Sequence, residues 1–536
     1  MKNGFIKKFS DSKNVKYSTV NYAFCALVLA IVIVLNAMFT VISGKFNWYL
    51  DMTDEGIFTM TEEFETAVEK ALEGNDAKIE IIFAVPKSEV DGAFELSSTE
   101  GAIGYVNATA EQLDVKFDDI DLIYKDIRKD YAFFKENFYS ESGASLTQSM
   151  VIIARKNADG SYAEYRTFDF RSFYGYASDS SLYAYNGEMV FASAICGLVL
   201  DQAPTVYFTV NHGEKAFTAW NEDSVKVDNS NIDERSDIHS SATELMKVFA
   251  LCGYNILPID LATEDIPADA RSIVINQPTY DFTIEEIDKV RAYFKNSGTV
   301  YCFTNSTAKL TKLYEFAEAQ FGVKVTPLDS TQTPVKDSAT AVAGGNAFSL
   351  RPIVPNNSAT TRYFKNLKNE MAGKAFVNNA NVINVNPFYM SDMGYNEGEY
   401  LMYAQPILVT NENAEFNGVK GSYNLATVTA AIKTTEEDLM ENYSYFLMCP
   451  TDSFASTDSL SSNAYANRDM MMSLVQTLSA RETTPSLVDI DFKTFINYNL
   501  DLTQRQANIT TILMVTVVPV ALAVCGTVII RRRKLR

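Results

Sequence analysis

His212 stands in Asn211-His-Gly-Glu214, directly after the apolar run Thr205-Val-Tyr-Phe-Thr-Val210. An imidazole and a carboxylate two residues apart at the end of a strand could form a general acid and base pair. With Gly213 between them to let a backbone approach, they could equally hold a small ligand. Asp452, in Thr451-Asp-Ser-Phe454 after a later apolar run, would supply a third polar group. The candidate ligand set is therefore His212, Gly213, Glu214 and Asp452. A structural reading competes with it and is favoured: His212 bonds within a turn, Glu214 caps the next segment, and Asp452 makes an Asx turn. No Gly-x-Ser-x-Gly elbow occurs, no cysteine follows a strand as a nucleophile would, and no Gly-x-x-x-x-Gly-Lys-[Ser/Thr] loop is present. His212 and His239 are the two histidines, which excludes a His-rich metal site. We therefore expect no catalytic residue, no metal and no cofactor.

The elements around these residues alternate between strand and helix. A helix is expected from Thr61 to Leu72, with Thr59 and Glu62 at capping-box spacing. Strands follow at Lys78–Val85 and Ile120–Tyr124, with a hairpin of Met150–Ala154 and Ala163–Phe168. Helices are expected near Ile103–Leu113, Tyr131–Phe138 and Gly187–Leu200. The order β-α-β-α-β-β-α is that of a thioredoxin-like unit over 43–202, without a redox cysteine pair. From Pro204 the strands Thr205–Val210, Asn255–Leu261, Ser272–Asn276 and Thr299–Phe303 alternate with helices Ser240–Cys252, Thr283–Lys295 and Ala308–Phe321. That alternation predicts a Rossmann-like α/β domain over 203–480. An insertion spans about 328–400, read mainly as loop with one helix near Thr361–Met371. Strands at Gln405–Thr410, Asn424–Lys433 and Tyr443–Cys449 rejoin the sheet before a last helix, Asn463–Leu478. Cys196, Cys252, Cys302 and Cys449 stand singly in apolar runs, as small core residues do.

The 46 basic and 67 acidic residues give a formal charge of −21, distributed unevenly. The tails 1–19 and 531–536 hold ten of the bases and one acid, so the chain between them is more acidic still. Such a surface repels phosphate backbones and argues against nucleic acid as a partner. Val20–Ile42 and Ile509–Ile530 are each long and apolar enough for a bilayer core of roughly 30 Å. Bases precede the first and follow the second, which predicts two spans, both termini cytoplasmic and a large extracytoplasmic domain in the plasma membrane. A cleaved signal peptide ending at Ser43 is the alternative for the first segment. Asn36 could bond to a neighbouring helix within the membrane. Residues 481–508 would return the chain to the bilayer.

Four stretches in order along the chain carry a resemblance. Asp51-Met-Thr53 with Phe58-Thr-Met-Thr61, Val206-Tyr-Phe leading to Asn211-His-Gly-Glu214, Thr451-Asp-Ser-Phe454, and Leu500-Asp-Leu-Thr-Gln504 before Val518-Pro519 are similar to motifs of the GldG-like auxiliary proteins of ABC transporters. Asn211 departs from that pattern, where glycine is usual. The resemblance implies an amidotransferase-like sheet in the second domain and a non-catalytic subunit that binds a substrate or envelope component. It also implies partnership with an ABC permease and a separate cytoplasmic ATPase, in a family associated with gliding motility. Asp51 and Thr53 would then dock on the permease; a turn aiming the first helix away from the bilayer is the competing reading. The alternatives are a degenerate amidotransferase-like hydrolase and a structural envelope module, since the same domain class serves as scaffold in intraflagellar transport proteins.

Overall fold

A computed structural model describes most of residues 53–495, leaving out 54–55, 76, 139–146, 177–180, 200–203, 221–226, 229–231, 233–234, 330, 343–345, 365–366, 368–373, 392, 434–442, 463, 479–489 and 491. Outside that range it describes Leu27, Ile31 and Val34, which are helical and exposed. The chain divides into two units, Met1–Thr494 and Phe495–Arg536. The description below concerns the first. Among the described residues no helix is long and apolar enough to cross a membrane. Both expected spans, apart from those three residues, lie outside the described residues.

The architecture is mixed α/β. Helix α1 (Glu62–Leu72) starts two residues later than the expected capping box puts it. Thr61, not Thr59, is the N-cap, and its hydroxyl accepts from the Phe64 N–H at 3.3 Å. Its acids Glu62, Glu63 and Glu65 face the favourable end of the helix dipole. Phe64, Ala67, Val68, Ala71 and Leu72 form its buried face. Strand β1 (Lys78–Phe83) is followed by the short α2 (Lys87–Val90), α3 (Ile103–Lys116), β2 (Ile120–Tyr124) and α4 (Tyr131–Phe138). A hairpin of β3 (Met150–Lys156) and β4 (Tyr162–Asp169) turns at Asn157–Gly160, where Gly160 takes φ 88°. These strands make a sheet in the order β2-β1-β3-β4, with β1 parallel to β2 and antiparallel to β3.

A 3-10 turn (Phe170–Phe173) leads into β5 (Tyr174–Tyr176), β6 (Leu182–Tyr185) and α5 (Gly187–Val199). Every residue of α5 is buried. A helix apolar on all sides needs cover on all sides, and α5 is covered by α1, α3 and β3 and then by α6 (Thr243–Leu251) of the next layer. The contact with the next layer is close: a Cβ on Gly253 would stand 3.0 Å from the Ser193 carbonyl oxygen. A buried ion pair, Arg166 to Asp228 at 2.8 Å, also joins the two layers.

The larger sheet begins with β7 (Thr205–Thr209), β8 (Asn255–Ile259), β9 (Ala270–Asn276), α7 (Ile284–Lys295), β10 (Thr299–Phe303) and α8 (Thr311–Phe321). The insertion is more ordered than expected. After β11 (Val323–Val325), it holds β12 (Ser349–Leu350), α9 (Ser358–Tyr363), β13 (Val377–Asn378), β14 (Ile383–Val385) and β15 (Tyr395–Glu397). Asn357 and Thr360 box the start of α9, placing it ahead of the expected Thr361–Met371. The long β16 (Tyr400–Val409), the short pair β17 (Glu415–Phe416) and β18 (Val419–Lys420), β19 (Asn424–Lys433) and β20 (Tyr443–Cys449) precede α10 (Thr457–Leu460) and α11 (Asn467–Leu478). The sheet order is β11-β14-β19-β20-β10-β9-β7-β8. Five strands, β8-β7-β9-β10-β20, run parallel, and the rest extend the sheet antiparallel. β10 is buried along its whole length, as a central parallel strand covered on both faces must be.

The last described strand, β21 (Lys493–Thr494), pairs antiparallel with β6, so the outgoing chain lies on the β5–β6 hairpin. Lys493 is buried there with Glu188 of α5 and forms an ion pair with it. Its ammonium also donates to the carbonyls of Gly56 at 2.9 Å and Thr59 at 2.5 Å. Glu188 in turn accepts from the Thr61 hydroxyl at 2.6 Å and the Thr61 N–H at 3.2 Å. One buried charge pair thus ties the incoming chain, α5 and the outgoing chain together.

Candidate functional site

β7 ends in the turn that carries the predicted residues. Asn211 takes φ 80° and Gly213 φ 73°, both left-handed. Asn is among the few side chains that accept this region, which explains how Asn211 can stand at a position that a glycine would fill without strain. Gly213 has no such latitude, because a Cβ there would fall 2.0 Å from the Thr279 hydroxyl oxygen. The His212 carbonyl accepts from the N–H groups of Thr279 at 2.8 Å and Tyr280 at 2.9 Å. That pins the turn to the loop after β9.

The His212 ring is buried between two carboxylates. Nε2 lies 3.1 Å from Glu286 Oε2, and Nδ1 lies 3.4 Å from Glu214 Oε1. The ring stacks on Phe282 with centroids 4.0 Å apart. Burial opposes a charge on the imidazole, but Glu214 and Glu286 together outweigh it and raise its pKa above the ordinary value. Glu214 does not cap the following segment as expected; its other oxygen turns back to the His212 N–H at 2.6 Å. Glu286 was missed in the sequence. It is the N3 residue of the Thr283 capping box that opens α7, accepting from the Thr283 N–H at 2.6 Å and hydroxyl at 2.8 Å. Burial pushes its pKa up, and the Thr283 donors and His212 reverse that into a net depression. The imidazole thus spans two carboxylates, hydrogen-bonded to Glu286 through Nε2 and within ion-pair distance of Glu214 through Nδ1.

Asp452 lies apart from this cluster, in the wall of a cavity of about 480 Å³. It does not form the expected Asx turn. Thr451 closes the turn instead, its hydroxyl accepting from the Phe454 N–H at 3.1 Å. The Asp452 carboxylate reaches Ser306 N–H at 3.3 Å and the Asn379 amide at 3.0 Å, and its carbonyl accepts from the Gln277 amide at 2.9 Å. Lys215, Asn276, Gln277 and Tyr465 share the cavity wall, with Phe376 stacked on Tyr465 at 4.3 Å. Lys215 follows β7, Asn276 is the last residue of β9, and Gln277 follows it. The chain reverses its strand order between these neighbours, which is where open α/β sheets bind ligands. Gln277 holds a left-handed φ of 54°, and the backbones of Lys215 and Asn276 are cross-linked by an N–H to carbonyl bond of 3.1 Å. The sequence signalled the strand ends but not these residues, because the cavity forms only when segments as distant as Lys215 and Tyr465 meet.

Thr53 is exposed and closes a turn, accepting from Ile57 N–H at 2.8 Å through its hydroxyl. Asp51 and Asn36 lie outside the described residues. Cys196, Cys252, Cys302 and Cys449 are free and buried. Burial pushes the thiols of Cys196, Cys252 and Cys449 up to about 12. Among the described residues no cluster of His, Cys, Asp and Glu has the makings of a metal site.

No protein-family description and no curated protein matches the sequence. Among solved structures, the "mmIFT52 N-terminal domain" aligns with 52% of this chain and 98% of its own length, at 11% identity and a TM-score of 0.34. A score that low carries no argument about fold or function.

Proposed function

We propose that this chain is a two-span auxiliary subunit of an ABC-type transport system, with its large domain outside the plasma membrane. In this reading the first sheet, ordered β2-β1-β3-β4, is a thioredoxin-like scaffold. The parallel strands β8-β7-β9-β10-β20 then form a Rossmann-like sheet of the doubly wound kind. The observation that carries a binding role is the 480 Å³ cavity at the point where strand order reverses. Its amides, serine hydroxyls and stacked aromatic pair suit a small, polar ligand with an apolar face, and Lys215 and Asp452 would orient it. His212 serves in this reading as the clamp that holds the β7 turn, and Asp51 with Thr53 as the contact to an integral permease. A cytoplasmic ATPase, a separate chain, would supply the energy.

Affinity purification of the full-length chain from native membranes tests the assignment. Co-purification of a multi-span permease and an ATPase is the expected result, and a clean monomer in mild detergent counts against it. Asp452→Asn and Lys215→Ala should leave that assembly intact while abolishing ligand binding by it.

A further inference from the structure

A second cleft, of about 410 Å³, opens between the two layers, where the end of β4 and the 3-10 turn face α6 and α11. Three bases line it, Arg171, Lys247 and Arg468, together with the hydroxyls of Thr167, Ser172 and Ser461. Two acids line it as well, and each is already committed. Asp169 caps the 3-10 turn, accepting from the Arg171 N–H at 2.8 Å. Glu244 pairs with Lys247 at 2.9 Å. Asp469, next to Arg468 in the chain, turns away to the Tyr183 hydroxyl at 2.5 Å, and burial pushes its carboxyl pKa up.

The guanidinium groups of Arg171 and Arg468 therefore form no ion pair among the described residues. Arg171 lies over the Tyr176 ring at 5.1 Å. Arg128, Arg166, Arg235 and Arg291 each find a carboxylate within 3 Å. Arg468 is half-buried and sits in the first turn of α11, where the helix dipole opposes a cation. Arg171 is exposed beside the Tyr176 ring, Arg468 pairs with no carboxylate across the cleft, and guanidinium geometry matches oxyanions in particular.

We propose that this cleft binds the oxyanion group of a small ligand, a phosphate or a carboxylate, through Arg171 and Arg468, with Ser172 and Ser461 as further donors. The site stands independently of the transport reading and shares no lining residue with the cavity at the strand ends.

Equilibrium dialysis of the full-length chain against labelled inorganic phosphate, at ionic strength held constant with chloride, tests it, with malonate as competitor. The wild type should retain phosphate saturably. Arg468→Gln and Arg171→Gln should each weaken retention about tenfold or more, the scale of one lost charge-assisted contact. Arg468→Lys should fall between. Thermal unfolding without anion guards against misfolding: the glutamine variants should unfold no earlier than the wild type. Competition by malonate assigns a general oxyanion site, and its absence one selective for phosphate. The proposal is overturned if the wild type retains neither anion, or if a folded double variant retains phosphate as well as the wild type does.

Discussion

At the scale of single residues, His212 is the clearest case of a predicted site residue acquiring a structural role. Its folded pKa is raised above 6.5 by Glu214 and Glu286. For a base with a raised folded pKa, the stabilising contribution is complete below the unfolded value and is lost as the pH climbs through the folded one. Urea unfolding across pH 5.5 to about 9 should show stability falling over that window, and His212→Asn should flatten this component. An unchanged profile in the variant would sink the assignment. His212→Ala should cost about 3 kcal/mol, because it takes from two buried carboxylates the ring they face, as well as its stacking on Phe282. Gly213→Ala should be comparably damaging, since the backbone is left-handed and Thr279 occupies the space. The sequence contained the His-Gly-Glu signal and the Thr283-x-x-Glu286 capping box separately. Nothing in it said that the two meet, because that contact spans 74 positions.

At the scale of elements, long buried strands were legible and short edge pairings were not. Thr299–Phe303, Asn424–Lys433 and Tyr443–Cys449 lie where the apolar runs put them, since burial on both faces writes itself into composition. The 3-stranded sheet of β5, β6 and β21 left no such trace. Its strands are two to four residues long, and what holds β21 is a lysine, a residue type that predicts exposure. Lys493→Met should therefore destabilise by about 3–5 kcal/mol by leaving Glu188 buried without its partner. Glu188→Gln should cost less, because an amide still accepts from Thr61. A double-mutant cycle over the two should return a coupling of about 1–3 kcal/mol; additive losses would mean that the pair does not act as a clasp.

At the scale of the whole molecule, the clasp makes the two ends of the described chain one cooperative feature. Gly56 and Thr59, just before the first helix, hang on the same ammonium that anchors the last strand. Ile490 and Phe492 are buried beside it. The outgoing segment is thus part of the fold and not a tether from it. This separates two truncations that would otherwise look alike. A chain stopped after Phe495 keeps β21, Lys493 and the buried apolar pair, and should unfold at the temperature of the full-length protein. A chain stopped after Ala480 loses all of them and should unfold several degrees lower, since about 3 kcal/mol or more is removed. Amide exchange gives the finer readout. In the shorter chain, protection should fall at Thr61 and along Leu182–Tyr185, where the clasp and β21 make their bonds. The distant β10, buried in the larger sheet, should keep its protection. Equal stability in the two truncations would show that the ends fold independently, and that the incoming and outgoing chains share a place without sharing energy.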